Sequence, residues 1–255
     1  MHTDLAKGLL DYANERRTIR RYSSRPVTDE LLHDLLEAAA HSPNTGNMQL
    51  YSAVITRSEQ GKEQLSPAHF GQPSVKSSQA VVTFCADLNR FSRWCEVSDA
   101  VPGYDNFQAL AWGIIDATIV AQQFVTLCEA EGLGTCYLGT TTYNAPEIAT
   151  ILSLPSLVVP VATVTVGWPE GESRTSDRLP LKAWVHNEAY HNPSDEDIKA
   201  MYTPKESLEE NAKFIEENGK QTLAQVFTDV RYKKDDNEAF TAKFMDFIRK
   251  QGFKF

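Results

Sequence analysis

Four arginines stand within six residues near the start of the chain, in Arg16-Arg17-Thr18-Ile19-Arg20-Arg21. Like charges this close repel unless water screens them or an anion is shared. Arginine suits phosphate because its planar fork donates two parallel hydrogen bonds, and Thr18 adds a hydroxyl donor. The same run also reads as a solvated basic surface. A second segment, His41-Ser-Pro-Asn-Thr-Gly-Asn-Met-Gln49, leaves a helix and enters a strand. Its small and amide side chains either bring backbone N–H groups to a ligand or form an ordinary turn. The third, Gly132-Leu-Gly-Thr-Cys-Tyr-Leu-Gly-Thr140, has glycines that could let backbone approach a flat ligand, without the Gly-x-Gly-x-x-Gly spacing of a dinucleotide fingerprint. The fourth is Gly167-Trp-Pro169, with Arg178-Leu-Pro180 beyond it.

Other chemistries lack their residues. Gly-x-Ser-x-Gly and His-Glu-x-x-His are absent. His33, His41, His69, His186 and His191 show no ligand spacing and read as surface or structural, so no metal is expected. Cys85, Cys95, Cys128 and Cys136 form no Cys-x-x-Cys pair, which leaves reduced thiols in a cytoplasmic setting as the default. Met1 to Leu10 does not read as a signal peptide.

These segments need elements to hold them. Apolar spacing predicts a helix over Asp4–Arg16 and another capped by Thr28 that ends near Pro43. Strands are expected at Tyr51–Arg57, Ala80–Ala86, Thr135–Gly139 and Val161–Gly167, with a short helix at Asn144–Leu152. The strongest element is a helix over Asn106–Glu131. Its apolar residues cover nearly the whole circumference, which requires burial on every side and implies a partner subunit or a central place in a monomer. Asp116, Gln122, Gln123 and Glu129 argue against a membrane span. With 255 residues and 42% apolar content the chain can build a sizeable core, and its net charge of -9 argues against nucleic acid as a partner. Beyond Asn192 the composition turns charged and polar, with helical patches at Leu208–Glu217 and Ala239–Arg249. The division expected is a core over 1–191 and a helical extension over 192–255 that wraps a partner or caps a pocket. Strands and helices alternate unevenly, so the fold class expected is α+β, a mixed, mostly antiparallel sheet flanked by helices.

The four segments, in this order, resemble the FMN-dependent nitroreductase family, nearest its oxygen-insensitive, NADPH-preferring nitroreductase and flavin reductase branch. Arg16–Arg20 with Tyr22 and Pro26 is similar to the family's phosphate motif. Ser42-Pro43 through Gln49 is similar to its second flavin loop. Phe84–Arg90, Gly132-Leu-Gly134, Tyr137-Leu-Gly139 and Gly167-Trp-Pro169 complete the match, which covers roughly Asp11 to Tyr190. The resemblance implies an intertwined homodimer and a nitroreductase-like fold. It implies FMN as bound cofactor, NADPH or NADH as electron donor, and ping-pong two-electron hydride transfer to a nitroaromatic or quinone. Flavin, ferric or chromate reduction, or flavin binding without catalysis, are the alternatives. Chemistry would lie on the flavin, with no catalytic side chain.

By resemblance, Arg16, Arg17 and Thr18 hold the FMN phosphate, with Arg178 as a second clamp. Arg20 lies by the N1–C2 edge of the ring and tunes it. Pro43, Asn44, Thr45 and Asn47 come from the other subunit. Gln72 bonds the ring or ribityl chain, and Tyr137, Leu138 and Gly139 line the flavin near N5. Two positions depart from the pattern: Ser176 stands where relatives carry a lysine, which weakens the second clamp unless Arg174 substitutes, and Thr140 stands where they carry a second glycine.

Overall fold

The computed structural model describes residues 3–255. They form two compact units, one of residues 3–174 with 241–255, the other of residues 175–240. The chain leaves the first unit at Arg174 and returns at Thr241, whereas composition places its change at Asn192.

The helices are α1 (Asp4–Glu15), α2 (Asp29–Ala39), α3 (Glu59–Leu65), α4 (Pro73–Ser77), α5 (Asn89–Val97), α6 (Phe107–Ala130) and α7 (Ala145–Ile151). The second unit adds α8 (Asp195–Glu206), α9 (Glu209–Glu217) and α10 (Leu223–Val226), and α11 (Lys234–Lys250) leads back to the first. The strands are β1 (Tyr51–Thr56), β2 (Ala80–Asp87), β3 (Gly134–Leu138) and β4 (Val158–Gly167). They form one sheet in the order β1-β2-β4-β3, antiparallel at every pairing.

Sequence chemistry accounts for the elements. Thr28 and Asn106 cap α2 and α6 by accepting from the N–H groups of Leu31 and Ala109. Strand β2 is buried along its whole length because helices cover both faces. Val82 and Phe84 join Leu32, Val120, Phe124 and Val164 in a core under α2 and α6. On the other face Val81 packs with Leu65, Val75, Leu138 and Ile148, from α3, α4, β3 and α7.

Helix α6 is long and apolar enough to cross a bilayer. In this fold it lies on the sheet, with Leu110, Ala117, Val120, Ala121, Phe124 and Val125 buried. One face is left bare in the single chain: Phe107, Ile115 and Ile119 are 58%, 54% and 37% exposed.

Candidate functional site: an arginine segment pinned along strand β3

Arg16 to Arg21 run extended along the free edge of β3. The Ile19 amide donates to the Thr135 carbonyl at 2.9 Å, and the Ser23 amide to the Trp168 carbonyl at 2.9 Å. Tyr22 pairs with Pro169 in an isolated bridge, and its hydroxyl sits 2.7 Å from that of Thr165. Burial holds the Tyr22 hydroxyl protonated by raising its pKa. Trp168 Nε1 donates to the Pro26 carbonyl at 3.1 Å, and Arg25 stacks on the Trp168 ring.

Two glycines permit this approach. A Cβ on Gly134 would lie 2.6 Å from Ile19, and one on Gly167 would lie 2.9 Å from the Tyr22 ring. The Gly132-Leu-Gly134 and Gly167-Trp-Pro169 motifs therefore admit the chain's own arginine segment.

Within that segment Arg16 forms one ion pair, Nε to Glu129 at 3.1 Å. Glu129, at the end of α6, also accepts from Tyr12 at 2.6 Å and from the Thr135 hydroxyl. Burial, and then the bond to Glu129, pushes the Tyr12 pKa up to about 12. Arg17 is exposed and donates to the Ser173 carbonyl at 3.2 Å. Thr18 is half-buried, and its hydroxyl has no partner among the described residues. Arg20 is exposed, and the Cys136 thiol has its pKa raised by burial against the opposing pull of the Arg20 charge. The Tyr137 hydroxyl is buried without a partner among the described residues. Tyr12, Arg16, Arg17, Ile19, Glu129 and Leu133 line a shallow cavity of about 260 Å³.

The second loop sits elsewhere. The Thr45 amide and hydroxyl both donate to Asp116 Oδ1 at 2.9 Å, and the Leu50 amide reaches Oδ2 at 3.4 Å. Asn44 Oδ1 accepts the Gln49 amide at 3.1 Å. Gly46 and Asn47 turn the chain through the left-handed region, at φ 56° for both, which glycine and asparagine tolerate. Pro43 and Asn47 stay exposed. Arg90 Nη2 donates to the carbonyls of Gln49 and Tyr51, bracing the loop where it enters β1.

A third cluster closes the far end of β3. His69, fully buried, places Nδ1 2.8 Å from the Thr140 hydroxyl. Asn144 Nδ2 donates to the Ala68 carbonyl at 2.7 Å, and the Thr141 hydroxyl to the Leu138 carbonyl at 2.9 Å. The segment carrying Gln72 is thereby tied to Leu138 and Gly139. A Cβ on Gly139 would meet open space.

Residues 13–168 match the family model described as Nitroreductase family. The chain belongs to the nitroreductase family. An oxygen-insensitive NADPH nitroreductase of Salmonella typhimurium is 29% identical over 93% of this chain and 94% of its own length. An FMN reductase [NAD(P)H] of Bacillus subtilis is 30% identical over 75% of this chain and 76% of its own. A solved Bacteroides fragilis structure, provisionally called an oxidoreductase, is 51% identical with a TM-score of 0.94, covering 96% of this chain and 100% of that one.

Within this family member the structure gathers Arg16, Arg17, Thr18 and Arg20 along the start of β3, and Gln72, Tyr137, Leu138 and Gly139 at its end. Pro43, Asn44, Thr45 and Asn47 are not joined to either. The arginine segment lies on the outer edge of β3 near Gly134, paired with Gly167 at the end of β4. The Asn44 loop precedes Tyr51, paired with Ala86 at the opposite end of β2, on the other outer strand. These are diagonal corners of the sheet. Their posts on α6, Asp116 and Glu129, are 13 residues apart (129 − 116), about 20 Å along a helix. Arg178 lies in the second unit, exposed, donating to the carbonyls of Ser176 and Asp177 at 3.2 and 2.8 Å.

Sequence reasoning singled out neither Asp116 nor Glu129 as a site residue. Their signal was a carboxylate in an otherwise apolar helix, which requires a hydrogen-bonded partner. Arg90 was likewise legible only as part of a motif.

The residues fit a flavin phosphate and ring. Arg16 and Arg17 keep most of their guanidinium donors, and the Tyr137 hydroxyl is without a partner among the described residues. The backbone at Gly139 is open to a flat group.

Proposed function

We propose that this nitroreductase-family chain is an FMN-dependent NAD(P)H oxidoreductase that reduces nitroaromatics and quinones. The observation that carries the reading is the pinning of Arg16–Arg20 against β3 by Gly134 and Gly167. It fixes several guanidinium donors and the Thr18 hydroxyl at one place, as a dianionic phosphate requires. The names of the Salmonella typhimurium and Bacillus subtilis relatives agree with the cofactor and donor. The second of those names also favours free flavin as an acceptor.

When bound, FMN supplies the two-electron relay between NAD(P)H and the acceptor, in ping-pong order. Arg16, Arg17 and Thr18 bind its phosphate, and Glu129 orients Arg16 for that task. Arg20 brings a positive charge to the N1–C2 edge of the ring, which favours negative charge there. Gln72 and the Leu138–Gly139 backbone orient the ring, with Tyr137 beside them, and Arg174 adds a second contact to the phosphate.

The site is shared between two copies of the chain, with Pro43, Asn44, Thr45 and Asn47 supplied by the partner. Two findings support this. The loop carrying them lies at the opposite corner of the sheet from the arginines, and α6 leaves Phe107, Ile115 and Ile119 uncovered. The four free cysteines suit a reducing, cytoplasmic setting.

Steady-state turnover with nitrofurazone, a quinone and free FMN, each with NADPH and NADH, tests the reading. Parallel-line kinetics with at least one acceptor are expected. No oxidation of either nicotinamide with any of the three overturns it.

A further inference from the structure

Thr140 stands where the family's glycine pair ends, and the structure shows what the extra side chain does. Its hydroxyl lies 2.8 Å from His69 Nδ1, and both residues are buried. Burial lowers the His69 pKa to about 4. The ring is therefore neutral at physiological pH, with one nitrogen a donor and the other an acceptor. Nε2 has no partner among the described residues, so the bond to Thr140 alone orients the ring.

The two residues sit at the roots of two short loops. After His69 the chain reverses through Phe70 at φ 54° and Gly71 at φ 67°, and the Gly71 amide returns to the Ser66 carbonyl at 2.8 Å. Gln72 follows, its amide on the His69 carbonyl at 3.1 Å. Thr140 directly follows Leu138 and Gly139. A second tie, Asn144 to the Ala68 carbonyl, runs beside the first, and Asn144 is itself held by Lys243 Nζ at 2.9 Å.

We infer that the buried His69–Thr140 hydrogen bond is a latch that sets the position of Gln72 relative to the Leu138–Gly139 backbone, and so the placement of the flavin ring between them. The inference rests on the flavin reading of this site. His69 and Thr140 are positioning residues, since neither reaches the open side of the loops. A shift of a few tenths of an ångström between the loops weakens every ring contact while leaving the phosphate contacts at the other end of β3 unchanged.

The test compares wild type, Thr140→Val and Thr140→Ser as full-length proteins. Thr140→Val keeps the shape and removes the hydroxyl, and Thr140→Ser restores it. FMN affinity is read by fluorescence titration of flavin-stripped protein well below the melting temperature. The visible spectrum of the bound flavin and the histidine ring ¹⁵N shifts of the stripped protein are read alongside. The latch predicts a roughly tenfold weaker FMN complex and an altered flavin spectrum in Thr140→Val, a changed His69 Nδ1 signal, and wild-type behaviour in Thr140→Ser. If the valine variant does not fold, Thr140→Ala is read in the same way. Wild-type affinity and spectrum in the folded valine or alanine variant overturn the latch while leaving the flavin site standing. A wild-type protein that takes up no FMN overturns the flavin reading and the latch with it, a distinct result visible before any variant is made.

Discussion

Thr45 gives both its backbone amide and its hydroxyl to one oxygen of Asp116, at 2.9 Å each, and that carboxylate is buried in the middle of α6. A buried charge is tolerated only when its partners are complete. The loop from Ser42 to Leu50 is shaped by this one acceptor. Asp116→Ala leaves the Thr45 donors without it, and hydrogen bonds to charged groups contribute about 1.5–3 kcal/mol each. A destabilisation of about 3 kcal/mol is expected in urea unfolding, with Asp116→Asn recovering part of it. An unchanged midpoint in the alanine variant contradicts the anchoring role.

Gly134 is expected to be needed for the space above it. The Cβ of Gly134→Ala would meet Ile19 at 2.6 Å, pushing the arginine segment off β3. FMN affinity is expected to fall at least about tenfold, since a displacement of even half an ångström disturbs a preorganised site. Adding Ile19→Gly removes the clash, which involves the Ile19 Cβ itself, and is expected to restore most of the affinity. Fluorescence titration of the single and double variants measures both, and equal losses in the two contradict the steric account.

Much of the frame was legible because it is local. All four strands and α6 follow from short-range pattern, within a few residues of where they lie. The short helices α3, α4 and α5 were not anticipated, because each is stabilised by packing and lacks an extended apolar stripe of its own. The site was legible in part. The arginine segment stood out as a candidate anion site, while the glycines of Gly132–Thr140 were read as room for a flat ligand, and one of them, Gly134, instead meets Ile19. Asp116 and Glu129 could not be matched with Thr45 and Arg16 from sequence, because separations of 71 and 113 residues carry no periodic signal. Thr140 was visible only as a departure. Its reason, His69, is 71 residues away.

Arg17 and Arg20 are exposed, so the contribution to FMN binding proposed for their charges is expected to depend on salt. Arg17→Ala and Arg20→Ala should each weaken FMN binding roughly tenfold near 0.1 M salt, and by less at 1 M, where the screening length falls to about 3 Å. Titrations at the two salt concentrations check this. A loss independent of salt contradicts the electrostatic role.

His69 gives the fold a pH dependence of known sign. Its pKa is lowered from 6.5 to about 4 in the folded protein by burial. The unfolded chain therefore binds a proton at a pH where the folded one does not. The stabilisation is fully present above 6.5 and is lost as pH falls toward 4, amounting to about 3 kcal/mol at 1.36 kcal/mol per pKa unit. Melting curves from pH 7 to pH 4 should show a steeper fall for wild type than for His69→Gln. Parallel curves contradict it.

The central claim is that the arginine segment on β3 holds a flavin. The most direct measurement is the visible spectrum of the purified protein, reconstituted with FMN and desalted, before and after NADPH is added without oxygen. The account predicts a yellow protein retaining about one flavin per chain, bleached by NADPH. A colourless protein that retains no FMN, or a flavin that NADPH and NADH both leave oxidised, contradicts it.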